Sequence, residues 1–158
     1  EKEFDELIRY MEEVRQTKYY LKNQILMMQK KSKPVAFFPG KFQPVHMGHI
    51  TSLMKIFDDY DKIIIGITSD SPNVLSLKSR KEIFKSVLSR FNKFEFVLFD
   101  TALVNIKDTN TLPKFDVCVT GNQSVVDFMK KNNFKTRLLR RSEGVGYSGT
   151  EIRSISKN

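Results

Sequence analysis

The sequence of 158 residues is poor in cysteine and has no long apolar run. Cys118 is the only cysteine, so no disulfide can form within one chain, and we expect a cytoplasmic location. No stretch approaches the roughly 18 consecutive apolar residues that cross a bilayer, so we expect no membrane partner. The chain begins with Glu1 rather than methionine, and we therefore expect a fragment or a processed form.

Acidic residues are scarce near the C-terminus, although they are common elsewhere. The chain holds 27 lysine and arginine residues against 18 acidic ones, a formal net charge of +9. Residues 130–158 contain eight of the basic residues and two of the acidic ones. Such a region suits nucleic acid, but it equally suits the phosphates of a nucleoside triphosphate. Composition therefore leaves both classes of partner open.

Glycine and proline are absent from residues 1–33, which predicts one uninterrupted helix, here labelled α1, over 3–31. Along it, apolar residues recur at alternating intervals of three and four, with one interruption at Lys18: Phe4, Leu7, Met11, Val14, Leu21, Ile25 and Met28. This spacing is typical of a coiled-coil seam, which we call the α1 seam. We expect residues 1–33 to serve oligomerisation or to link to a longer chain, although packing on their own domain is an alternative. A second domain is expected at 34–158.

Beyond Pro34, short apolar runs alternate with helical patterns. The apolar runs predict five buried strands, at residues 35–38, 62–68, 94–99, 117–120 and 136–139. Helical spacing predicts helices at residues 48–60, 79–91, 124–131 and 148–154, and residues 101–114 indicate a loop with a turn of helix. Strands that are apolar throughout are buried on both faces. The sequence therefore predicts an α/β fold, with a five-stranded, mainly parallel sheet covered by helices on both faces and preceded by the long N-terminal helix.

Histidine occurs only twice, and both copies follow the first predicted strand. Residues 40–49 are Gly-Lys-Phe-Gln-Pro-Val-His-Met-Gly-His. Ligands of such sheets bind beyond the carboxyl ends of the strands, and a helix that begins near Gly48 would present free N–H groups to phosphate. His46, His49 and Lys41 could donate hydrogen bonds to phosphoryl oxygens. Gly40 would allow a ligand to approach the backbone closely.

Other interpretations of this segment fit less well. A P-loop needs a glycine five residues before its Gly-Lys pair, where this chain has Val35. His46 and His49 alone do not make a zinc site, because no cysteine or carboxylate cluster is near them in sequence. We therefore assign no residue to a metal. A pair of histidines that only caps a turn remains a structural alternative.

A second anion-binding pattern lies at residues 140–153, which are Arg-Arg-Ser-Glu-Gly-Val-Gly-Tyr-Ser-Gly-Thr-Glu-Ile-Arg. Ser148 could cap a helix, with Glu151 closing a capping box. The first N–H groups of that helix, the hydroxyls of Ser148 and Thr150, and Arg153 would then face one direction. An ordinary capped helix with a solvated arginine is the alternative.

The pattern G-x-F-x-P-x-H-x-G-H resembles the first signature of the HIGH-motif nucleotidyltransferases, a Rossmann-like, cytidylyltransferase-like superfamily. Residues 147–153 (YSGTEIR) resemble the second signature, closest to archaeal-type nicotinamide-mononucleotide adenylyltransferases. Residues 141–144 (RSEG) also resemble the start of the cytidylyltransferase signature, but two extra residues precede the serine. The resemblance covers residues 35–153 and leaves residues 1–33 unexplained.

The resemblance implies transfer of AMP from ATP to a small phosphorylated acceptor, with release of pyrophosphate and with Mg²⁺ bridging the phosphates. It implies catalytic roles at the α-phosphate for His46 and His49, with Lys41 neutralising phosphate charge. The other residues predicted to bind the nucleotide are Gly40, Phe42, Gly48, Gly121, Asn122, Arg141, Ser148, Thr150 and Arg153. Arg80 would bind the phosphate of the acceptor, or would simply be a surface arginine.

Two other functions remain open at this point. One is a CTP-dependent cytidylyltransferase that acts on a small phosphorylated alcohol. The other is a non-catalytic module that binds a nucleotide or nucleic acid, although the intact His46, His49 and Arg153 argue against a degraded site. Tryptophan is absent, so an indole stacked on a nicotinamide ring is excluded, whereas Phe or Tyr could take that position.

Overall fold

The computed structural model describes residues 1–28, 32–69, 73–140, 150 and 153. The chain divides into two compact units, Glu1–Ser32 and Lys33–Asn158. The first unit contains α1, a helix of 27 residues at Lys2–Met28, as the sequence predicted for this stretch. In the part of the chain that the structure describes, no helix is both long and apolar enough to cross a membrane.

The second unit alternates strands with helices, as predicted. Its strands are β1 (Val35–Gly40), β2 (Lys62–Ile67), β3 (Phe94–Leu98), β4 (Val117–Thr120) and β5 (Thr136–Leu138). Its helices are α2 (Met47–Ile56), α3 (Leu77–Val87) and α4 (Gln123–Lys131). Single 3₁₀ turns lie at Phe57–Asp59, Leu103–Asn105 and Thr109–Thr111, so the loop predicted at 101–114 is confirmed. Thr150 and Arg153 are helical, and the rest of the predicted helix 148–154 lies outside the described residues.

The five strands form one sheet in the order β3-β2-β1-β4-β5. All four strand pairings are parallel, which confirms the predicted α/β fold class. The chain builds the sheet outward from β1 in one direction and then returns to add β4 on the other side. The order therefore switches between β1 and β4, and ligands of such sheets bind at that point, beyond the carboxyl ends of the two strands.

Both faces of the sheet are covered by apolar side chains. Because successive strand residues point to opposite faces, Phe38 and Phe37 belong to different cores. The core that contains Phe38 includes Leu53, Ile56 and Phe84 from α2 and α3. The core that contains Phe37 includes Met129 of α4 and Cys118 of β4. Burial raises the pKa of the Cys118 thiol to about 12, so this cysteine is a packing residue that stays protonated at neutral pH.

Several element boundaries differ from the sequence prediction; the helix predicted at 79–91, for example, is α3 at Leu77–Val87. The pair Pro39-Gly40 predicts the end of the first strand at Phe38, but β1 continues to Gly40 in register with β2. Its pairing with β4 stops at Phe37, so Pro39 has a paired strand on one side and its missing N–H is tolerated there. The helix predicted at 48–60 ends at Ile56 and tightens into a 3₁₀ turn.

Candidate active site

The sheet places the two predicted ligand-binding loops side by side. The loop that carries both histidines follows β1, and Gly121 and Asn122 follow β4, the strand paired with β1. Asn122 caps α4, with its side-chain oxygen accepting a hydrogen bond from the Ser124 N–H at 2.9 Å. Because parallel strands end at the same edge of a sheet, both loops lie at the switch point, where a nucleotide would bind.

The two histidines form a stacked pair at the start of α2. His46 is the N-cap of the helix, and its ring lies 3.6 Å from that of His49, centroid to centroid. The His46 backbone N–H donates to Nδ1 of His49 at 3.1 Å. Since Nδ1 is an acceptor, the neutral His49 ring carries its proton on Nε2. His49 is half-buried and can offer that Nε2–H to a phosphoryl oxygen beside the positive end of the helix.

Phe42 packs against His49 of the histidine pair. Its backbone has a φ of 53°, and its ring is buried at 2% exposure, 4.7 Å from the His49 ring and 4.6 Å from Phe84. A side chain at Gly40 would clash with this ring, because a Cβ there would lie 2.8 Å from Cζ of Phe42. The sequence predicted nucleotide contacts for Gly40 and Phe42. In the structure, the space beside Gly40 is filled by Phe42, whose side chain is a core residue.

Gln43 is a site residue that the sequence analysis missed. It is 3% exposed, and its Oε1 accepts hydrogen bonds from the backbone N–H groups of Val74 at 2.5 Å and Leu75 at 3.1 Å. Its carbonyl oxygen accepts a hydrogen bond from Nη1 of Arg153 at 2.5 Å. Gln43 therefore joins the histidine loop to the segment before α3 and to the second motif. Its polar side chain between Phe42 and Pro44 is the sequence signal that could have indicated this role.

Arg80 is buried beneath the same loop. Only 1% of it is exposed, so its interpretation as a surface arginine is wrong. Its Nη1 donates to the carbonyl oxygens of Lys41 at 2.6 Å and Thr68 at 2.7 Å, and its Nε donates to that of Ser76 at 3.3 Å. These contacts favour a positioning role over the predicted contact with an acceptor phosphate, because the group is enclosed among protein carbonyls.

The second motif meets the first through Arg153. Besides its bond to Gln43, Arg153 donates from Nη2 to Oγ1 of Thr150 at 3.4 Å. Lys41 and Thr150 are exposed, and Gly48 is buried in the first turn of α2. The remaining two predicted phosphate ligands, Arg141 and Ser148, lie outside the described residues. Within those residues, no group of three His, Cys, Asp or Glu side chains could hold a metal ion.

Replacing Arg80 with methionine should destabilise the fold, because the carbonyls of Lys41 and Thr68 lose their donor inside the protein. A buried polar group left unsatisfied costs about 1–3 kcal/mol, and urea denaturation would measure the loss. Lys78→Met, at an exposed position of the same helix, is the control and should unfold like the original chain. An unchanged stability in Arg80→Met, with a raised KM for the acceptor, would restore the acceptor-binding role.

Sequence comparison finds proteins named nicotinamide-nucleotide adenylyltransferase. The one from Methanococcus vannielii is 33% identical over 132 residues, which cover 75% of this chain and 74% of that protein. The one from Thermoplasma volcanium is 30% identical over 137 residues, covering 80% and 77%. A phosphopantetheine adenylyltransferase from Vesicomyosocius okutanii is 32% identical over 98 residues, covering 61% and 60%.

Comparison of structures supports the same fold. A bifunctional NMN adenylyltransferase/ADP ribose pyrophosphatase from Francisella tularensis matches with a TM-score of 0.62 at 16% identity, over 78% of this chain and 42% of that chain. The likeness is therefore one of fold, to part of a larger protein. The model of the cytidylyltransferase-like family matches residues 37–155 and includes both motifs. The resemblance predicted from the sequence is confirmed: the chain belongs to the cytidylyltransferase-like family.

Proposed function

We propose that this protein is an adenylyltransferase that transfers AMP from ATP to a small phosphorylated acceptor and releases pyrophosphate. The observation that carries the proposal is the hydrogen bond from Arg153 to the Gln43 carbonyl, which brings two motifs 110 residues apart in sequence to one edge of the sheet. The loop of the stacked histidine pair and the arginine of the second motif are thereby joined directly. The adenylyltransferase relatives support ATP as the nucleotide.

The chemistry is a direct displacement at the α-phosphorus. A phosphate oxygen of the acceptor attacks, a new P–O bond forms, and the bond to the β-phosphate oxygen breaks, so that pyrophosphate leaves with the electron pair. Such reactions depend on positioning and charge neutralisation. His49 donates from Nε2 to an α-phosphate oxygen as negative charge develops, and His46 lies beside it. Lys41, which is exposed and directly follows β1, neutralises phosphate charge.

Arg153 and Thr150 hold the distal phosphates in this proposal, together with Arg141 and Ser148 from the sequence. The donors described here are imidazole, guanidinium and hydroxyl groups, which suit phosphate better than a hard cation. Mg²⁺, which favours phosphate and water oxygens, would therefore be held by the nucleotide, where it supplies further charge neutralisation. Gly121 and Asn122, beyond β4, are proposed to lie against the base.

Nicotinamide mononucleotide is the acceptor that we propose first, because relatives from several archaea are named nicotinamide-nucleotide adenylyltransferase. The phosphopantetheine adenylyltransferase relative makes phosphopantetheine the second acceptor to test. CTP remains the alternative nucleotide, since the family as a whole is cytidylyltransferase-like. A homo-oligomer and a cytoplasmic location stay predictions from the sequence.

A screen of ATP and CTP against nicotinamide mononucleotide, phosphopantetheine and glycerol 3-phosphate tests the function. With Mg²⁺ present, we expect pyrophosphate from ATP and nicotinamide mononucleotide, and none from either substrate alone. A site that hydrogen-bonds one base edge should reject the other base strongly, because the wrong base leaves buried polar groups unpaired. Faster release from CTP would overturn the choice of nucleotide. No release from any pair would favour a binding module.

The substitution His49→Asn tests the proposed donor. Asparagine can place Oδ1 where Nδ1 lies and accept the His46 N–H, but it has no group at the position of Nε2. We expect turnover to fall about 10²–10³-fold, the usual loss for one transition-state donor, while the chain stays folded and its unfolding temperature falls only by the loss of the ring contacts to Phe42 and His46. Met47→Asn, an exposed neighbour, is the control and should keep full turnover. Normal turnover in His49→Asn would remove His49 from the reaction.

Arg153→Ala tests whether Arg153 binds the distal phosphates of ATP. We expect ATP binding to weaken much more than AMP binding in calorimetric titrations, because AMP lacks the phosphates assigned to Arg153. Lys131→Ala removes the same charge from an exposed position at the end of α4 and serves as the control. If the variant weakens ATP and AMP equally, Arg153 acts on the α-phosphate or on the loop instead.

A further inference from the structure

The apolar residues of the α1 seam are exposed from Phe4 to Ile25. Leu7, Met11, Val14, Leu21 and Ile25 are each 49–59% exposed, although their spacing is that of a packed helix face. A helix of this length gains most of its stability from burying such a face rather than from its own hydrogen bonds. We therefore expect the seam to pack against another helix whose apolar residues have the same heptad spacing.

The charge along α1 is strongly divided between its two halves. Residues 1–14 contain six acidic and two basic side chains, whereas residues 15–28 contain three basic side chains and no acidic one. A parallel, in-register pair would set acidic halves together, basic halves together and Lys18 opposite Lys18. An antiparallel pair would set each acidic half against a basic half. Charge complementarity thus favours a second copy of α1 in the antiparallel orientation.

The seam also matches itself in that orientation. Opposing Leu7 with Ile25 of the other helix aligns Met11 with Leu21 in the next layer, so that apolar residues meet apolar residues. The one polar seam position, Lys18, then faces Val14 near the centre of the pair. A lysine there can lay its aliphatic stem on the valine and keep its ammonium group in water. Each copy supplies the surface that the other lacks.

We propose that α1 pairs antiparallel with α1 of a second copy of this chain, with Leu7 opposite Ile25. The proposal concerns assembly and does not depend on the adenylyltransferase reaction. In such a pair the two chains leave the helices at opposite ends, about 40 Å apart at 1.5 Å of rise per residue.

Disulfide trapping of the full chain tests the orientation. Leu7→Cys and Ile25→Cys are made in separate chains, and Cys118 does not interfere because it is fully buried. On mild oxidation, we expect a covalent dimer from the mixture and monomers from each variant alone. Leu7→Cys mixed with Asn23→Cys, which lies on the opposite helix face, should give none. Covalent dimers from each variant alone would show a parallel pair and overturn the proposal.

Light scattering on unmodified and substituted full chains tests the pairing itself. The chain should be a dimer, and Leu21→Glu should raise its dissociation constant at least about 100-fold, since it places a charge in the buried seam. Gln16→Glu adds the same charge on the opposite face and should leave the dimer intact. A monomer at all concentrations, with no disulfide trapped in the mixture, would assign the seam to another occupant and contradict the proposal.

Discussion

A buried guanidinium group holds the loop on which the proposed chemistry depends. Removing Arg80 from water carries a large cost, which is acceptable because its N–H groups meet the carbonyl oxygens of Lys41, Thr68 and Ser76. These bonds tie the end of β1 to the end of β2 and to the start of α3. Gln43 ties the same loop to the segment before α3. The conformation of the loop is therefore fixed by hydrogen bonds of two buried side chains, Arg80 and Gln43.

The fixed loop in turn orients the phosphate-binding groups. With Phe42 packed in the core, the His49 ring has an edge-to-face contact with Phe42 and stacks on His46. Its Nδ1 accepts a hydrogen bond from a backbone N–H, so the neutral ring has its donor at Nε2. Donors that are already in place need no reorganisation as charge develops, which is the main source of stabilisation in phosphoryl and nucleotidyl transfer.

The sequence predicted the sheet well because its strands are short and apolar, and β4 has the predicted bounds of 117–120. The predicted burial is found in the three central strands, β2, β1 and β4, whereas the edge strands β3 and β5 are partly exposed. The sequence prediction failed where contacts between distant parts of the chain determine a strand end or the burial of a side chain. Pro39 lies inside β1 because β4 does not pair that far along, which no local pattern reveals. Arg80, in a run of charged residues, resembles a surface residue because its partners are backbone carbonyls, which leave no trace in the sequence. The two motifs indicated the site, but no pattern in the sequence indicated that Arg80 and Gln43 hold the histidine loop in place.

The most direct test of the account is to follow which phosphorus of ATP reaches the acceptor. The full chain is incubated with Mg²⁺, nicotinamide mononucleotide and ATP labelled at either the α- or the γ-phosphate. The account predicts that the α label enters the dinucleotide product and that the γ label is recovered in pyrophosphate. Transfer of the γ label to the acceptor, or recovery of both labels in unreacted ATP, would contradict it.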